Sequence, residues 1–131
     1  MIVVDGKGAV LGRLASFVAK ETLKGKEISI INCNQVIITG NKRMIEKEFT
    51  EKRSRIGSSQ KGPKHHANSE KIVKRTIRGM LPNHRGGRGK EALKKIKCYV
   101  GIPKELGEIK PITLKTGRKM KTSEVREFTR R

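Results

Sequence analysis

Basic side chains dominate the stretch from Lys71 to Lys97, which holds ten lysines and arginines against one acidic residue, Glu91. Side chains of this kind bind phosphate oxygens through charge-assisted hydrogen bonds, whereas a solvated protein surface usually mixes charges of both signs. The segment 82–90, with the sequence PNHRGGRGK, is predicted to be a loop, and its three glycines allow backbone to approach a ligand closely. The pattern predicts a surface that contacts a polyanion.

The net charge of the chain supports this prediction. It is +20 over 131 residues, of which residues 1–40 carry +2 and residues 41–131 carry +18. Charge on this scale opposes compaction unless a partner neutralises it, and nucleic acid is the first expectation, with an anionic membrane surface second. Aromatic residues make up only 3%, which disfavours modules that grip single strands by base stacking. We therefore expect contact with phosphates and with the shape of folded RNA or duplex.

Catalytic and metal-binding patterns are weak. Asp5 is the single aspartate of the sequence, whereas hydrolysis and phosphoryl transfer usually employ several carboxylates. His65 and His66 are adjacent and lack the Cys-x-x-Cys or His-x-x-x-His spacing of zinc sites, so contact with phosphate or ribose is the favoured role. We predict no enzymatic activity, no metal and no cofactor.

A glycine-rich turn keeps a second hypothesis open. Gly6, Gly8 and Gly12 follow a predicted strand and precede a predicted helix, as in dinucleotide-binding folds. The third glycine of that fingerprint is required at position 11, which is Leu11 here, and no acidic residue follows the second strand. A tight turn is favoured, and a small nucleotide-binding enzyme of the doubly wound class is the alternative.

The first forty residues predict the elements of a parallel sheet. Ile2 to Val4 form a β-branched run, the stripe from Leu11 to Leu23 predicts a helix, and the segment 27–32 predicts a second strand. A strand, a helix and a strand at this spacing form a βαβ unit with parallel strands. A third apolar run, QVIIT, follows at 35–39.

The middle of the chain predicts two helices separated by a long loop. The first begins near Lys42 and ends near Arg55, and the loop covers 56–66. The second covers Lys71–Leu81, where apolar residues recur at helical spacing, and Pro82 ends it.

The remaining segments complete the prediction. We expect a short helix around 90–95, a last strand at 96–100, and a weakly structured tail beyond Pro103 in which 123–128 is helical. We expect residues 1–103 to form an α/β domain and residues 104–131 to form a basic C-terminal tail. Cys33 and Cys98 lie in apolar runs and are expected as small core residues rather than as a disulfide. The absence of a long apolar run or a signal-like amino terminus favours a cytoplasmic location.

Charge alone selects part of the expected binding surface. It comprises bases and histidines of the 53–66 loop and the outer face of the following helix: Arg53, Arg55, Lys61, Lys64, His65, His66, Lys74 and Arg75.

Four short motifs in this order and spacing resemble the large-subunit ribosomal protein L-thirteen family. They are VDG at 4–6, LGRLAS at 11–16, TGNK at 39–42 and RGMLP at 78–82. The resemblance implies a three-layer α/β/α fold with a four-stranded, mostly parallel sheet. It also implies a non-enzymatic role: binding large-subunit ribosomal RNA, supporting early subunit assembly and translation, and contacting neighbouring ribosomal proteins, with no membrane and no small-molecule substrate. The short termini resemble the archaeal form.

The resemblance also carries RNA-facing positions onto this sequence: Lys42, Arg43, Arg78, Asn83, His84, Arg85, Arg88 and Lys90. A third hypothesis, a regulatory RNA-binding protein that acts off the ribosome, shares these residues and stays open.

Overall fold

The computed structural model describes residues 1–55, 62–114 and 121–129. The strands are β1 (Ile2–Asp5), β2 (Ile28–Ile31), β3 (Ile37–Thr39), β4 (Ile96–Cys98), β5 (Ile112–Thr113) and β6 (Thr122–Glu124). The α-helices are α1 (Leu11–Leu23), α2 (Lys42–Ser54), α3 (Ser69–Met80) and α4 (Gly87–Lys94). Short 3-10 helices lie at Cys33–Gln35, Lys104–Leu106 and Val125–Phe128.

The central sheet has four parallel strands in the order β4-β2-β1-β5. β1 and β2 pair in register from Ile2 opposite Ile28 to Asp5 opposite Ile31, and α1 connects them. The predicted βαβ unit is therefore confirmed. β-Branched residues fill these strands because their stiff side chains pack well on a pleated surface.

Alternation along the strands divides the core into two faces. Val4, Ile30 and Ile96 belong to the main apolar core, to which α1, α3 and α4 contribute. On the opposite face Val3 and Ile31 pack with Leu106 and Tyr99, so the 3-10 helix Lys104–Leu106 covers that side. The predicted three-layer α/β fold is confirmed.

The third apolar run joins a different sheet. β3 pairs antiparallel with β6, where Ile38 lies opposite Ser123. The chain turns away from the central sheet after β2, where Asn32 adopts a left-handed conformation (φ 55°) and leads into a 3-10 turn. Asparagine tolerates this conformation better than most residues.

The expectations that β4 is the last strand and that the segment beyond Pro103 is weakly structured are wrong for the described residues. β5 completes the central sheet, and Val125 and Phe128 are buried. Phe128 stacks on Phe49 of α2 with ring centroids 5.4 Å apart. Because few and widely spaced apolar residues make these contacts, no periodic pattern revealed them. The division of the chain after residue 103 stays a prediction about independent folding.

Both cysteines are free, with Cys33 buried and Cys98 half-buried, as predicted. Among the helices of the described residues, none is long and apolar enough to span a bilayer.

Candidate nucleic-acid interface

A groove between α2 and α3 collects three of the predicted binding residues, His65, His66 and Arg75. We call it the α2–α3 groove, and its volume is about 290 Å³. Its lining residues are Leu11, Phe49, Lys52, His65, His66, Lys71, Ile72, Arg75, Thr76 and Gly79. None of these is acidic. α3 positions the groove because its apolar stripe, Ile72, Val73 and Ile77, is buried in the core and its basic residues are left facing outward.

Arg75 is fixed at the rim of the groove by two contacts. Its Nη1 donates a hydrogen bond to the carbonyl of Lys64 at 3.0 Å, and its Nη2 lies 3.4 Å from His65 Nε2. Burial, and secondly the neighbouring Arg78, lowers the pKa of the Arg75 guanidinium from its ordinary value, although such a strong base keeps its charge. An oriented arginine loses less side-chain entropy when it binds a phosphate.

His65 occupies the same corner and is half-buried. Burial lowers the pKa of this imidazole, and Arg75, Lys52, Arg53 and Arg55 lower it further. The ring is therefore neutral at pH 7. A guanidinium only donates, so Nε2 accepts and Nδ1 carries the proton. A phosphate placed among these cations would reverse their effect and favour the protonated ring.

A second opening of about 280 Å³ continues this surface along α3, and its lining includes Lys64, Lys74 and Arg78. Lys74 Nζ donates a hydrogen bond to the carbonyl of Ile96 at 2.9 Å, which ties α3 to β4. An ammonium has three N–H donors, so the bond leaves two for a phosphate. Arg78 is half-buried one helical turn further on.

The glycine-rich segment 82–90 forms a turn and the start of a helix, rather than the loop expected from sequence. α4 begins at Gly87, so Arg88 and Lys90 lie in its first turn. Gly89 serves packing: a Cβ there would lie 1.7 Å from the carbonyl oxygen of Pro82. Asn83 adopts a left-handed conformation (φ 36°) within the turn.

The predicted side chains of this segment sit mostly at the surface. Asn83, Arg85, Arg88 and Lys90 are exposed, and His84 is half-buried. The structure therefore brings them together around one turn, which connects directly to the end of α3.

The TGNK motif forms the start of α2. Asn41 caps the helix, because its Oδ1 accepts a hydrogen bond from the backbone N–H of Arg43 at 3.1 Å. Lys42 Nζ lies 2.7 Å from Glu127 Oε2, while Arg43 is exposed. Lys42 thus has an acidic partner within the chain, which the sequence did not suggest.

Two further predicted residues, Arg53 and Arg55, lie at the other end of α2. The Arg53 guanidinium lies over the Phe49 ring, 5.2 Å from its centroid, and Arg55 is exposed. Lys61 lies outside the described residues.

Two groove residues were missed by the sequence prediction, Lys52 and Lys71. Lys52 lies three positions after Phe49, and Lys71 lies four positions before Arg75. Residues at these spacings share a helix face. These spacings would have predicted both lysines if the inward and outward faces of α2 and α3 had been known.

The Gly6–Gly12 turn has a structural explanation. A Cβ at Gly6 would lie 2.7 Å from Cγ2 of Val36 and 3.0 Å from the carbonyl of Ile31, so packing requires glycine there. Asp5 Oδ1 accepts hydrogen bonds from the Lys7 backbone N–H and from Asn32 Nδ2, each at 2.9 Å. Over the described parts of the chain, histidine, cysteine and acidic side chains form no group of three or more suited to a metal ion.

The comparison with known proteins agrees with the motifs. The sequence profile of the family Ribosomal protein L13 matches residues 1–105. The chain belongs to this family. The large ribosomal subunit protein uL13 of Methanosarcina barkeri is 46% identical over 115 residues, which cover 87% of this chain and 81% of that protein. Its counterpart in Methanocaldococcus jannaschii is 48% identical over 109 residues, which cover 81% and 79%. The resemblance seen in the four motifs is confirmed, and these relatives are archaeal.

Proposed function

We propose that this protein is a structural, non-enzymatic constituent of the large ribosomal subunit in the cytoplasm, where it binds large-subunit ribosomal RNA and supports early subunit assembly and translation. Membership of the L13 family and the names of its archaeal relatives support the ribosomal part of the proposal. One observation supports the RNA-binding part: the two openings along α3 share basic lining residues and, within the described part of the chain, neither is lined by an acidic residue.

Three regions contribute to this RNA-binding surface. The α2–α3 groove and the rest of the α3 face supply Arg75, Lys74 and Arg78, the turn before α4 supplies Arg85 and Arg88, and the start of α2 supplies Lys42 and Arg43. Each side chain would neutralise phosphates and release condensed counterions. Contacts of this kind fix the position of a protein on folded RNA, and the shape of the RNA provides the selectivity.

The segment 99–113 is the candidate contact with neighbouring ribosomal proteins. Its two lysines and two glutamates cancel, in a chain whose net charge is +20. Val100, Ile102, Ile109 and Ile112 are each more than a third exposed. A surface with exposed apolar side chains and no net charge gains little from RNA phosphates, but it suits a protein interface.

The salt dependence of RNA binding tests the proposal. Filter binding of the full chain to large-subunit ribosomal RNA should give an affinity that falls steeply with salt. Each neutralised phosphate contributes about 0.7–0.9 to the log–log slope. The double variant Arg85→Ala with Arg88→Ala should bind more weakly and lower the slope by roughly two contacts, while its circular dichroism stays unchanged.

The matched control replaces two exposed lysines of the nearly neutral first third, Lys7→Ala with Lys20→Ala. It should leave both affinity and slope close to those of the unchanged protein. A slope that corresponds to a single contact, or equal losses in the two double variants, contradicts the proposed surface.

A further inference from the structure

We propose that the α2–α3 groove receives one unpaired nucleotide of the ribosomal RNA, with its base on the apolar floor of the groove and its phosphate on Arg75. This inference deepens the proposed function and rests on it. A phosphate-binding surface alone needs no cavity, whereas this groove combines an apolar floor with a cationic rim.

The floor is built by one apolar side chain from each of three helices: Leu11 of α1, Phe49 of α2 and Ile72 of α3. The volume of about 290 Å³ is just below the range of small-molecule sites, which span about 300–1,000 Å³. The groove therefore has room for a single nucleobase with its sugar and excludes a paired helix. Burial of the base against these side chains would remove apolar surface from water.

Basic side chains at the rim of the groove can bind the phosphate of the nucleotide. Lys52 and Lys71 lie on either side, from α2 and α3, and Arg75 is already oriented by the Lys64 carbonyl. Among the described residues, none that lines the groove is acidic; Glu48, outside the lining, has its Oε1 3.0 Å from Lys52 Nζ. The N–H on Nδ1 of neutral His65 is a donor for a base or ribose oxygen.

The base would pack against the apolar floor of the groove rather than stack between exposed aromatic rings. Phe49 already stacks on Phe128 and lies beneath the Arg53 guanidinium, so it acts as an apolar wall. This mode of binding suits a chain with few aromatic residues. Unpaired nucleotides of folded RNA are the ones that protein pockets take up.

A comparison of two RNA hairpins tests the inference. One is fully paired, and the other is identical except for a single unpaired nucleotide in its stem. Fluorescence anisotropy with the full chain should show at least tenfold tighter binding of the second hairpin. Arg85→Ala, outside the groove, should weaken both complexes by the same factor and preserve the ratio.

The variant Gly79→Leu fills the groove without removing a charge. A Cβ at Gly79 meets nothing within 4 Å, so the fold should accept the substitution. The preference for the unpaired nucleotide should disappear, and binding of the paired hairpin should stay within about twofold of the unchanged protein. Arg75→Ala should likewise lose the preference.

The outcomes separate this inference from the proposed function. Equal affinity for the two hairpins, or a preference that survives Gly79→Leu, overturns the nucleotide site while leaving ribosomal RNA binding intact. Failure to bind large-subunit ribosomal RNA at all overturns the proposed function itself. Adenosine monophosphate serves as a third probe: if it binds the groove as tightly as the bulged hairpin does, the groove is a site for free nucleotides and the inference is wrong.

Discussion

Lys42 Nζ and Glu127 Oε2 lie 2.7 Å apart, so an ion pair joins the first residue of α2 to the 3-10 helix near the end of the chain. Glu127 raises the pKa of Lys42, and Lys42 in turn lowers the pKa of Glu127. The side chains are 58% and 34% exposed, so water screens the pair. Its main consequence is to reduce the local positive potential on a residue assigned to the RNA-binding surface.

Removal of this acid should therefore strengthen RNA binding. Glu127→Gln keeps an oxygen that can accept from the Glu124 backbone N–H, but it releases Lys42 and deletes one negative charge. We expect a tighter complex at low salt and a salt slope steeper by about 0.7–0.9, measured by filter binding. Glu105→Gln, in the segment 99–113 whose net charge is zero, is the control and should change neither quantity. Weaker binding in Glu127→Gln contradicts the role given to Lys42.

RNA binding should become tighter as the pH falls from 7 toward 5.5. In the free protein the pKa of His65 is lowered, first by burial and then by Arg75, whereas RNA phosphates favour the charged ring. Complex formation should thus take up a proton in this range. Isothermal titration calorimetry in buffers of different ionisation enthalpy measures the uptake, and His65→Ala should abolish it. His84→Ala is the matched control. If that variant lost the proton uptake instead, the proton would bind at His84 and the prediction for His65 would be wrong.

The stability of the free protein should follow the opposite trend. Because the folded pKa of His65 is lowered, the unfolded chain binds more protons below the ordinary value of 6.5. The contribution of this group to stability is complete above that value and declines as the pH falls through it toward the folded pKa. Urea unfolding at a series of pH values should show a steeper decline in the unchanged protein than in His65→Ala. Parallel curves would show that His65 does not titrate in this way.

Two glycines on neighbouring helices should respond to alanine in opposite ways. Gly89→Ala places a Cβ 1.7 Å from the Pro82 carbonyl, so the turn must open, at a cost of about 1–3 kcal/mol or more. Gly79→Ala meets nothing within 4 Å and should leave stability unchanged or raise it by up to about 1 kcal/mol. Thermal unfolding followed by circular dichroism compares the two. Equal melting temperatures would show that Gly89 is not packed as described.

The C-terminal segment should contribute strongly to stability. Phe128 is 3% exposed and stacks on Phe49, so Phe128→Ala should lower the free energy of unfolding by about 3–5 kcal/mol. Met44→Ala, on the exposed face of α2 where the side chain is 71% exposed, is the control and should cost less than about 0.5 kcal/mol. A protein ending at residue 103 should be destabilised for the same reason. If it melted like the full chain, the first 103 residues would be an independent domain.

The sequence predicted the parts of the fold that local patterns determine. Ile2 to Val4 and the 27–32 segment are dense β-branched runs, and the apolar stripe of α3 has clear helical spacing. β5, β6 and the burial of Phe128 escaped prediction because they depend on contacts between residues far apart in sequence. The two residues of β5 are too few to show periodicity, and β6, with the sequence TSE, contains no apolar residue.

The positive charge of the candidate site could be predicted from the sequence, but the contacts of its side chains could not. Charge alone selected Arg75, His65 and Lys74, yet the hydrogen bond from Arg75 to Lys64 and that from Lys74 to Ile96 depend on how α3 docks. Lys52 was missed because its place in the groove follows from the position of α2. The glycines at 86–89 were predicted to approach a ligand, whereas Gly89 approaches Pro82 within the chain.

The most direct test of the ribosomal assignment is sedimentation of cell lysate from the source organism through a density gradient, with the protein detected by antibody, at low and then at high salt. We predict migration with the large subunit at low salt and partial retention at high salt, because many phosphate contacts must be broken together. Migration as a free small protein under both conditions would contradict the account.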